Sequence, residues 1–250
     1  MKTKSILISL LFIICFLSYG QKHDLKKMGL HGDVKSLHEY SYQPVDENGK
    51  IQKGKLEFSY YNTFNSMGNK LIDIKYGPDG NVDKKYVYTY DNDGYRRTEQ
   101  QQLSSDGKLI RKITYKYDEQ GNLIEDNSFS PEGKPEKKIT YKYDNNGNVI
   151  EDNSFDAEGK LMKRFTYTYD GSSNKIENSR FSSQGALDSK VTYKYDDKNN
   201  IIEETVTNAN GTVVITTYTY EYDRQNSWIR MVRFTDKKAV SIIEREIEYY

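Results

Sequence analysis

Apolar and polar residues alternate along short segments of this chain, and the alternation is strictest where tyrosine is frequent. In the segment 138–143, Ile139, Tyr141 and Tyr143 fall on one face, whereas lysine and threonine residues fall on the other. A repeat of two residues is typical of a β-strand. Beyond residue 20, no segment keeps the 3.6-residue repeat of an amphipathic helix long enough to predict one.

The alternating segments recur at a nearly constant interval. Tyrosine directly precedes aspartate six times, at intervals of 27, 26, 26, 26 and 27 residues. The tyrosines of this series are Tyr90, Tyr117, Tyr143, Tyr169, Tyr195 and Tyr222. Each period contains two alternating segments and two turn segments, so each period predicts two strands. We therefore expect an all-β fold, a single continuous antiparallel meander sheet of about 15 strands that is twisted and curled.

Aspartate and glycine mark one turn of each period. In Asp144-Asn-Asn-Gly147, the aspartate carboxylate can accept hydrogen bonds from backbone N–H groups just ahead of it, and glycine adopts a positive φ without steric cost. The residues that we predict to build these turns are Asp91, Asp118, Asp144, Asp170, Asp196 and Asp223, with Gly94, Gly121 and Gly147.

The strand after this turn has an ambiguous inward face. Val149 has the same parity as Glu151 and Asn153, whereas the equally apolar Ile150 has the opposite parity. Alternation alone therefore does not decide which side of this strand faces the strand's apolar neighbours.

Six tyrosines stand in register in neighbouring units: Tyr115, Tyr117, Tyr141, Tyr143, Tyr167 and Tyr169. If the sheet curls with these rings inside, they are structural, and Glu151 and Asn153 are candidate partners for their hydroxyls. If the face is open, they form an aromatic strip that suits sugar rings or an extended peptide, and they are candidate ligand-binding residues. We favour the buried arrangement, because a tyrosine column in every unit exceeds what one ligand needs.

The last strand carries a row of acids, Glu244, Glu246 and Glu248. Charged side chains along an edge strand prevent pairing with further strands. This row therefore favours an open sheet over a closed barrel.

Composition narrows the class of protein. The 250 residues include 23 tyrosines, and only 35% are apolar, which does not suffice for a conventional aliphatic core. Lysine plus arginine and aspartate plus glutamate both number 37. No overall positive charge attracts nucleic acid, so we expect no nucleic-acid partner.

The N-terminus has the pattern of a secretory signal peptide. Lys2 and Lys4 precede an apolar run, and Ser18-Tyr19-Gly20 after the run places small residues three positions and one position before a cut at Gln21. We predict a signal peptide over 1–20, a lead-in segment over 21–33 and one repeat domain over 34–250. The protein is then exported, to the periplasm, the outer surface or the medium, with no transmembrane span after signal removal. Lipid anchoring at Cys15 is the alternative.

Residues with obvious chemistry are few. His23, His31 and His38 are irregularly spaced and have no cysteine nearby, so we predict no metal site and no cofactor. The turn sequences differ from calcium loops in the spacing of acid and glycine. The repeated acids Glu125, Glu151, Glu177 and Glu203 are better explained as a structural ladder facing basic neighbours than as catalytic groups. We predict no catalytic residue.

The motif Tyr-x-Tyr-Asp-x-x-Gly-Asn-Leu/Val, at Tyr115–Leu123 and Tyr141–Val149, resembles the YD-repeat, or Rhs-repeat, family. The resemblance covers the chain from about Val34 to Tyr250. It implies a β-sheet strip that spirals, here as a short curled section. This chain has no room for a C-terminal toxin cargo, so encapsulation is not carried over. Small exported bacterial proteins of this repeat type are the nearer resemblance.

Two functions remain compatible with the sequence. The first is an exported, non-enzymatic binding or scaffold module whose tyrosine-rich sheet contacts a polysaccharide or an envelope protein. The alternative is a glycan-active or glycan-binding envelope protein whose site is not visible in the sequence. A pocket that holds carboxylates outside the repeated positions would favour an enzyme.

Overall fold

The computed structural model describes residues 24–250, and the segment predicted to be a signal peptide, Cys15 and His23 lie outside this range. A short helix, α1 (Asp24–Lys27), precedes sixteen strands. The strands are β1 (Val34–Glu47), β2 (Lys50–Phe64), β3 (Lys70–Tyr76), β4 (Val82–Tyr90), β5 (Arg97–Ser104), β6 (Leu109–Tyr117), β7 (Leu123–Phe129), β8 (Pro135–Tyr143), β9 (Val149–Asp156), β10 (Leu161–Tyr169), β11 (Lys175–Ser182), β12 (Leu187–Tyr195), β13 (Ile201–Asn208), β14 (Val213–Tyr222), β15 (Trp228–Thr235) and β16 (Lys238–Tyr249). Within 24–250, no helix is long and apolar enough to cross a membrane.

Each strand pairs antiparallel with the next, and β16 returns to pair with β1, so the sheet closes into a barrel. The prediction of an all-β antiparallel meander is confirmed, and the prediction of an open sheet is wrong. The glutamate row of β16 projects from the outer wall: the Nζ atoms of Lys35 and Lys53 lie 2.6 Å from Glu248 and Glu244 respectively. The alternating glutamates therefore mark the outward-facing side of β16, and they do not indicate an unpaired edge strand.

A β-bulge in each hairpin with an aspartate turn explains the ambiguous face of the return strand. Lys142 is paired with Glu151, but the next residue, Tyr143, is paired with Val149. Ile150 is the extra residue and is exposed on the outside. Because a bulge reverses the alternation, Val149 lines the lumen while Glu151 pairs with Lys142 on the outer wall.

The outer wall carries a ladder of ion pairs between neighbouring strands. The Nζ–carboxylate distances are 2.5–2.8 Å for Lys116–Glu125, Lys142–Glu151, Lys190–Glu177 and Lys194–Glu203. The repeated glutamates therefore lie opposite lysines, as expected for a structural series. Exposed pairs of this kind stabilise a fold by only about 0–1 kcal/mol each.

The aspartate turns lie together at one end of the barrel and share one geometry. The Asp144 carboxylate accepts hydrogen bonds from the backbone N–H groups of Asn146 and Asn148, at 2.9 and 2.8 Å. Burial alone would raise the pKa of Asp144, but these bonds and one from the Asn148 side chain hold it below its ordinary value. Gly147 has a φ of 77°. The other predicted turn aspartates also accept backbone hydrogen bonds: Asp91, Asp118, Asp170, Asp196 and Asp223.

Residues 24–33, which include α1, form a plug that lies inside the barrel, against β1, β2 and β16, at the end carrying the aspartate turns. The N–H of Leu25 donates to the carbonyl of Gly68 on one side, and the N–H of His31 donates to Ser227 Oγ on the other. Leu25 and Leu30 join Leu37 and further residues of β1, β2 and β16 in the hydrophobic cluster of the protein. The segment expected to be a lead-in is thus part of the core.

Replacement of Gly147 tests the turn geometry. Gly147→Val should lower the free energy of unfolding by about 1–2 kcal/mol or more, because a β-branched residue is strained at positive φ. Asn145→Ala, an exposed position in the same turn, should change it by less than about 0.5 kcal/mol. Urea unfolding followed by circular dichroism gives both values.

Gly171 is a further control, because it lies in the equivalent turn of the next unit without a positive φ and with open space around it. Gly171→Val should therefore be much less harmful than Gly147→Val. Equal losses in the two valine variants would show that positive φ is not what the glycine supplies.

Candidate functional site

The tyrosine face of the sheet is the inner wall of the barrel. In β6, β8 and β10 the first tyrosine of the Tyr-x-Tyr pair bonds to a polar side chain 15 residues earlier, on the preceding strand. The hydroxyl of Tyr115 donates to Gln100 at 3.0 Å, and that of Tyr141 donates to Asp126 at 2.5 Å. The hydroxyl of Tyr167 donates to Asp152 in the same way. Hydrogen bonds from tyrosine hydroxyls to polar side chains therefore recur from one unit to the next along the lumenal face.

In five units the second tyrosine of the pair bonds to the backbone carbonyl 20 residues earlier, whereas Tyr222 of the last unit donates to Asp196. The hydroxyl of Tyr143 donates to the carbonyl of Leu123 at 2.7 Å. The backbone ladder between β7 and β8 ends at Glu125↔Thr140 and does not reach these two residues. The tyrosine hydroxyl thus bridges the gap where neighbouring hairpins separate. Equivalent bonds join Tyr90 to Lys70, Tyr117 to Arg97, Tyr169 to Val149 and Tyr195 to Lys175.

Neither Glu151 nor Asn153 is a partner of the tyrosine hydroxyls. The bulge turns both towards the outer wall, where the Asn153 amide donates to Glu151 at 2.8 Å. The residue between them, Asp152, faces the lumen instead. The sequence therefore predicted polar partners for the hydroxyls, but it placed them at positions 151 and 153, which face outwards, and not at position 152.

Burial inside the barrel shifts the pKa values of tyrosines and of aspartates that face the lumen. It raises the pKa of Tyr143, Tyr169 and Tyr195 to about 12. Burial also raises the pKa of Asp126 and Asp152, although the hydrogen bond from a tyrosine opposes this in each case. These groups thus prefer the protonated form more than they would in water.

A cavity of about 1410 Å³ lies in the lumen between the plug and the wall formed by β7 to β15. Its aromatic lining consists of Tyr141, Tyr143, Tyr169, Tyr195, Tyr220 and Trp228. Asparagine side chains surround it near the turns: Asn122, Asn146, Asn148, Asn174, Asn199 and Asn200. Of the six candidate tyrosines, the cavity thus brings Tyr141, Tyr143 and Tyr169 together, whereas Tyr115, Tyr117 and Tyr167 are not among its lining residues.

Arg245 fixes the plug to the wall of this cavity. Its Nε and Nη2 atoms donate to Glu39 at 3.1 and 2.8 Å, and its Nη1 donates to the carbonyl of Met28 at 2.8 Å. The guanidinium also stacks on the ring of Trp228, 3.1 Å from the centroid. Burial lowers the pKa of Arg245 to about 10, although Glu39 opposes the shift.

The first lumenal residue of each return strand forms a column with the same period as the tyrosines. Its members are Lys70, Arg97, Leu123, Val149, Lys175, Ile201 and Trp228. Sequence reasoning missed Lys175, Trp228 and Arg245 as cavity residues. Superposing the repeats at the position after each turn would have revealed the first two, whereas no repeat signal marks Arg245.

The two histidines in the described part of the chain serve local structure. The backbone of His31 bonds to Ser227, and the ring of His38 lies within hydrogen-bond distance of Ser59 and Tyr40, at 3.2 and 2.9 Å. Residues 24–250 contain no group of three histidine, cysteine, aspartate or glutamate side chains that could hold a metal ion.

The fold and its lumen define the class of this protein as a closed sixteen-stranded antiparallel β-barrel with a tyrosine-lined interior and an N-terminal plug. A family model described as "Uncharacterised protein" matches residues 21–176, more than half of the chain. The chain therefore belongs to that family. No curated protein matches it.

Solved structures support the fold assignment. A porin-like protein from Bacteroides uniformis is 10% identical, with 86% of this chain and 96% of that chain covered and a TM-score of 0.59. A porin-like protein from Bacteroides vulgatus is also 10% identical, with 87% and 98% covered, but its TM-score is 0.40. At this identity the first likeness concerns the fold alone, and the second carries no argument.

The assignment to the YD-repeat family is wrong. The Photorhabdus luminescens Tc holotoxin pore matches with a TM-score of only 0.33 and 15% identity, over 78% of this chain and 13% of that chain. The family model and the porin-like structure point elsewhere. The Tyr-Asp period misled because it encodes a hairpin with an aspartate turn, and that hairpin also fits a closed barrel.

Loss of one bridging hydroxyl should be measurable. Tyr143→Phe removes the donor to the buried Leu123 carbonyl and should lower the free energy of unfolding by about 1–3 kcal/mol. Tyr95→Phe is the matched control, because Tyr95 is 61% exposed. If urea unfolding gave the same free energy for both variants, the hydroxyl would not stabilise the gap between hairpins.

Raised tyrosine pKa values predict alkaline instability. Between about pH 10 and pH 12 the unfolded chain releases tyrosine protons that the folded barrel retains, so stability should fall as pH rises through this window. Absorbance of tyrosinate at 295 nm and the β-sheet circular dichroism signal should therefore change together. Full ionisation near pH 10 with an intact barrel would contradict the buried hydroxyl network.

Proposed function

We propose that this protein is an exported, non-enzymatic binding protein that holds an oligosaccharide in the cavity between its plug and its tyrosine wall. Closure of the sheet turns the tyrosine face into a lumen, so a ligand must enter the barrel and cannot lie along an open strip. The ligand is then a short chain or the end of a polymer.

The observation that carries this proposal is the composition of the cavity wall. Hydroxyls of Tyr143, Tyr169 and Tyr195 are bonded to backbone carbonyls, so the positions of their rings are fixed before any ligand arrives. The C–H faces of sugar rings pack on such aromatic rings, and asparagine side chains supply donors and acceptors for sugar hydroxyls. The volume exceeds the roughly 300–1,000 Å³ of ordinary small-molecule sites, which suits several sugar units.

Binding without catalysis is favoured by the state of the carboxylates. Glu39 is the acidic residue that lines the large cavity outside the repeated positions, and both Nε and Nη2 of Arg245 occupy it. Asp126 and Asp152 accept hydrogen bonds from tyrosines as members of a repeated series. Catalysis of glycoside cleavage needs a distinct pair of acids, with one free to donate a proton.

Export and a water-facing wall complete the proposal. The sequence pattern before Gln21 has the three parts of a signal peptide, and the family match begins at residue 21. The outer wall presents a lysine–glutamate pair on several neighbouring hairpins, where a barrel embedded in lipid presents an apolar band. We therefore place the protein in the cell envelope or outside the cell, with its wall in water.

Ligand titration tests the function. Trp228 is the single tryptophan of the chain and lines the cavity, so its fluorescence should change on titration with neutral and acidic oligosaccharides of three or more units. Val149→Phe, which narrows the lumen, should weaken binding by about tenfold or more in calorimetry. Ile150→Phe is the control, because the neighbouring side chain lies on the outer wall.

Circular dichroism must show that both variants keep the barrel. Equal weakening by the two phenylalanine substitutions would place the ligand outside the lumen. Cleavage of any tested oligosaccharide by the purified protein would overturn the non-enzymatic assignment.

A further inference from the structure

The lumenal column at the start of the return strands contains three cationic residues that differ in how their charges are balanced. Lys70 Nζ lies 3.2 Å from Asp73, and Arg97 Nη2 lies 2.8 Å from Asp24 of the plug. Both charges are thus neutralised by carboxylates of the protein itself. The third residue, Lys175, is in a different situation.

Lys175 has no carboxylate within ion-pair distance among residues 24–250. Its Nζ atom lies 4.1 Å from the centroid of the Tyr167 ring. The charge of Asp152 acts on Lys175, but the Asp152 carboxylate already accepts a hydrogen bond from the hydroxyl of Tyr167. Burial lowers the pKa of Lys175, which reflects the cost of keeping this ammonium charged inside the barrel.

The whole cavity has an excess of positive charge. Its lining includes Lys26, Lys27, Lys175, Lys198 and Arg245, but only one acid, Glu39. Glu39 is paired with Arg245, and Lys27 lies 3.9 Å from Asp24 of the plug, so the excess of positive charge comes from Lys26, Lys175 and Lys198. The turn aspartates near the rim are likewise engaged by backbone N–H groups and asparagine amides. A ligand that carries a negative charge would therefore supply what the cavity lacks.

We propose that Lys175 makes this cavity selective for anionic saccharides, whose carboxylate or sulfate group pairs with the lysine ammonium while the sugar rings pack on the neighbouring tyrosines. This inference rests on the proposed function and adds the chemical class of the ligand. Lys175 and the Tyr169 and Tyr195 rings line the same cavity, so one ligand can contact all three. A buried charge pair discriminates strongly, because the alternative is an uncompensated ammonium.

The test compares acidic and neutral probes of equal length. Trigalacturonate and a sulfated galactose trimer should bind the wild-type protein about tenfold or more tightly than maltotriose, as measured by Trp228 fluorescence. Lys175→Met should remove that preference, so that the acidic trimers and maltotriose bind this variant with affinities within about twofold of each other. Lys175→Arg should retain it. The two acidic probes distinguish a carboxylate ligand from a sulfate ligand.

Lys142→Met is the matched control. Lys142 lies on the outer wall in an ion pair with Glu151, so its loss should leave the affinities for all three probes unchanged. Circular dichroism spectra establish that each variant is folded. If Lys175→Met does not fold, the comparison of acidic and neutral probes on the wild-type protein and on Lys175→Arg decides the question.

The outcomes separate the two proposals. Equal wild-type affinities for acidic and neutral trimers would overturn the selectivity and leave the binding function in place. Tight binding of trigalacturonate by a folded Lys175→Met variant would also overturn the role of Lys175. Failure of all saccharides to bind would refute the binding function itself, and the selectivity with it.

Discussion

The hydrogen bond from a tyrosine hydroxyl to a backbone carbonyl one hairpin away is the interaction on which the rest of this barrel depends. Neighbouring hairpins separate before they reach the aspartate turns, so their last backbone groups have no partner in the ladder. The hydroxyls of residues such as Tyr143 and Tyr169 take the place of the missing strand contacts. Because buried polar groups must be satisfied, each ring is held inward and the lumen acquires a fixed aromatic wall.

The plug contributes apolar side chains to a barrel whose strands contain few of them. A chain that is only 35% apolar has few aliphatic residues to bury, and several of them are concentrated where residues 24–33 meet β1, β2 and β16. In the same segment, the Asp24 carboxylate accepts a hydrogen bond from Arg97 of the wall, and the Met28 carbonyl accepts one from the Arg245 guanidinium. Closure of the sheet and ordering of the plug therefore stabilise each other, and the cavity exists only because both are present.

Local features of this fold could be predicted from the sequence, whereas its closure could not. The alternation around Tyr141 and the turn at Asp144 are encoded within a few residues, so strands and turns were expected correctly. The bulge at Ile150 reverses the order of inward and outward residues along the strand, and no residue type in the strand predicts it. The pairing of β1 with β16 joins residues more than two hundred positions apart, such as Lys35 and Glu248, and a repeat pattern contains no information about its own ends.

The candidate site divides in the same way. Lys175 shares its period with Val149 and could have been placed on the lumenal wall by superposition of the repeats. Arg245 and Glu39 belong to the strands that close the ring, outside the regular units, and their meeting depends on closure. The plug has no counterpart elsewhere in the chain, so only the folded molecule shows that it lies in the lumen.

Closure also constrains how a protein of this kind can change its length in evolution. A linear array of repeats can gain or lose units one at a time, since each unit touches only its neighbours. In a ring, every duplicated unit inserts two strands into the circumference and widens the bore. The plug is anchored at Gly68 and Ser227 and packs against β1, β2 and β16, so the opposite wall lies across the cavity from it. Copy number is thus tied to diameter, and a change in the number of units would alter the width of the space between the plug and the opposite wall.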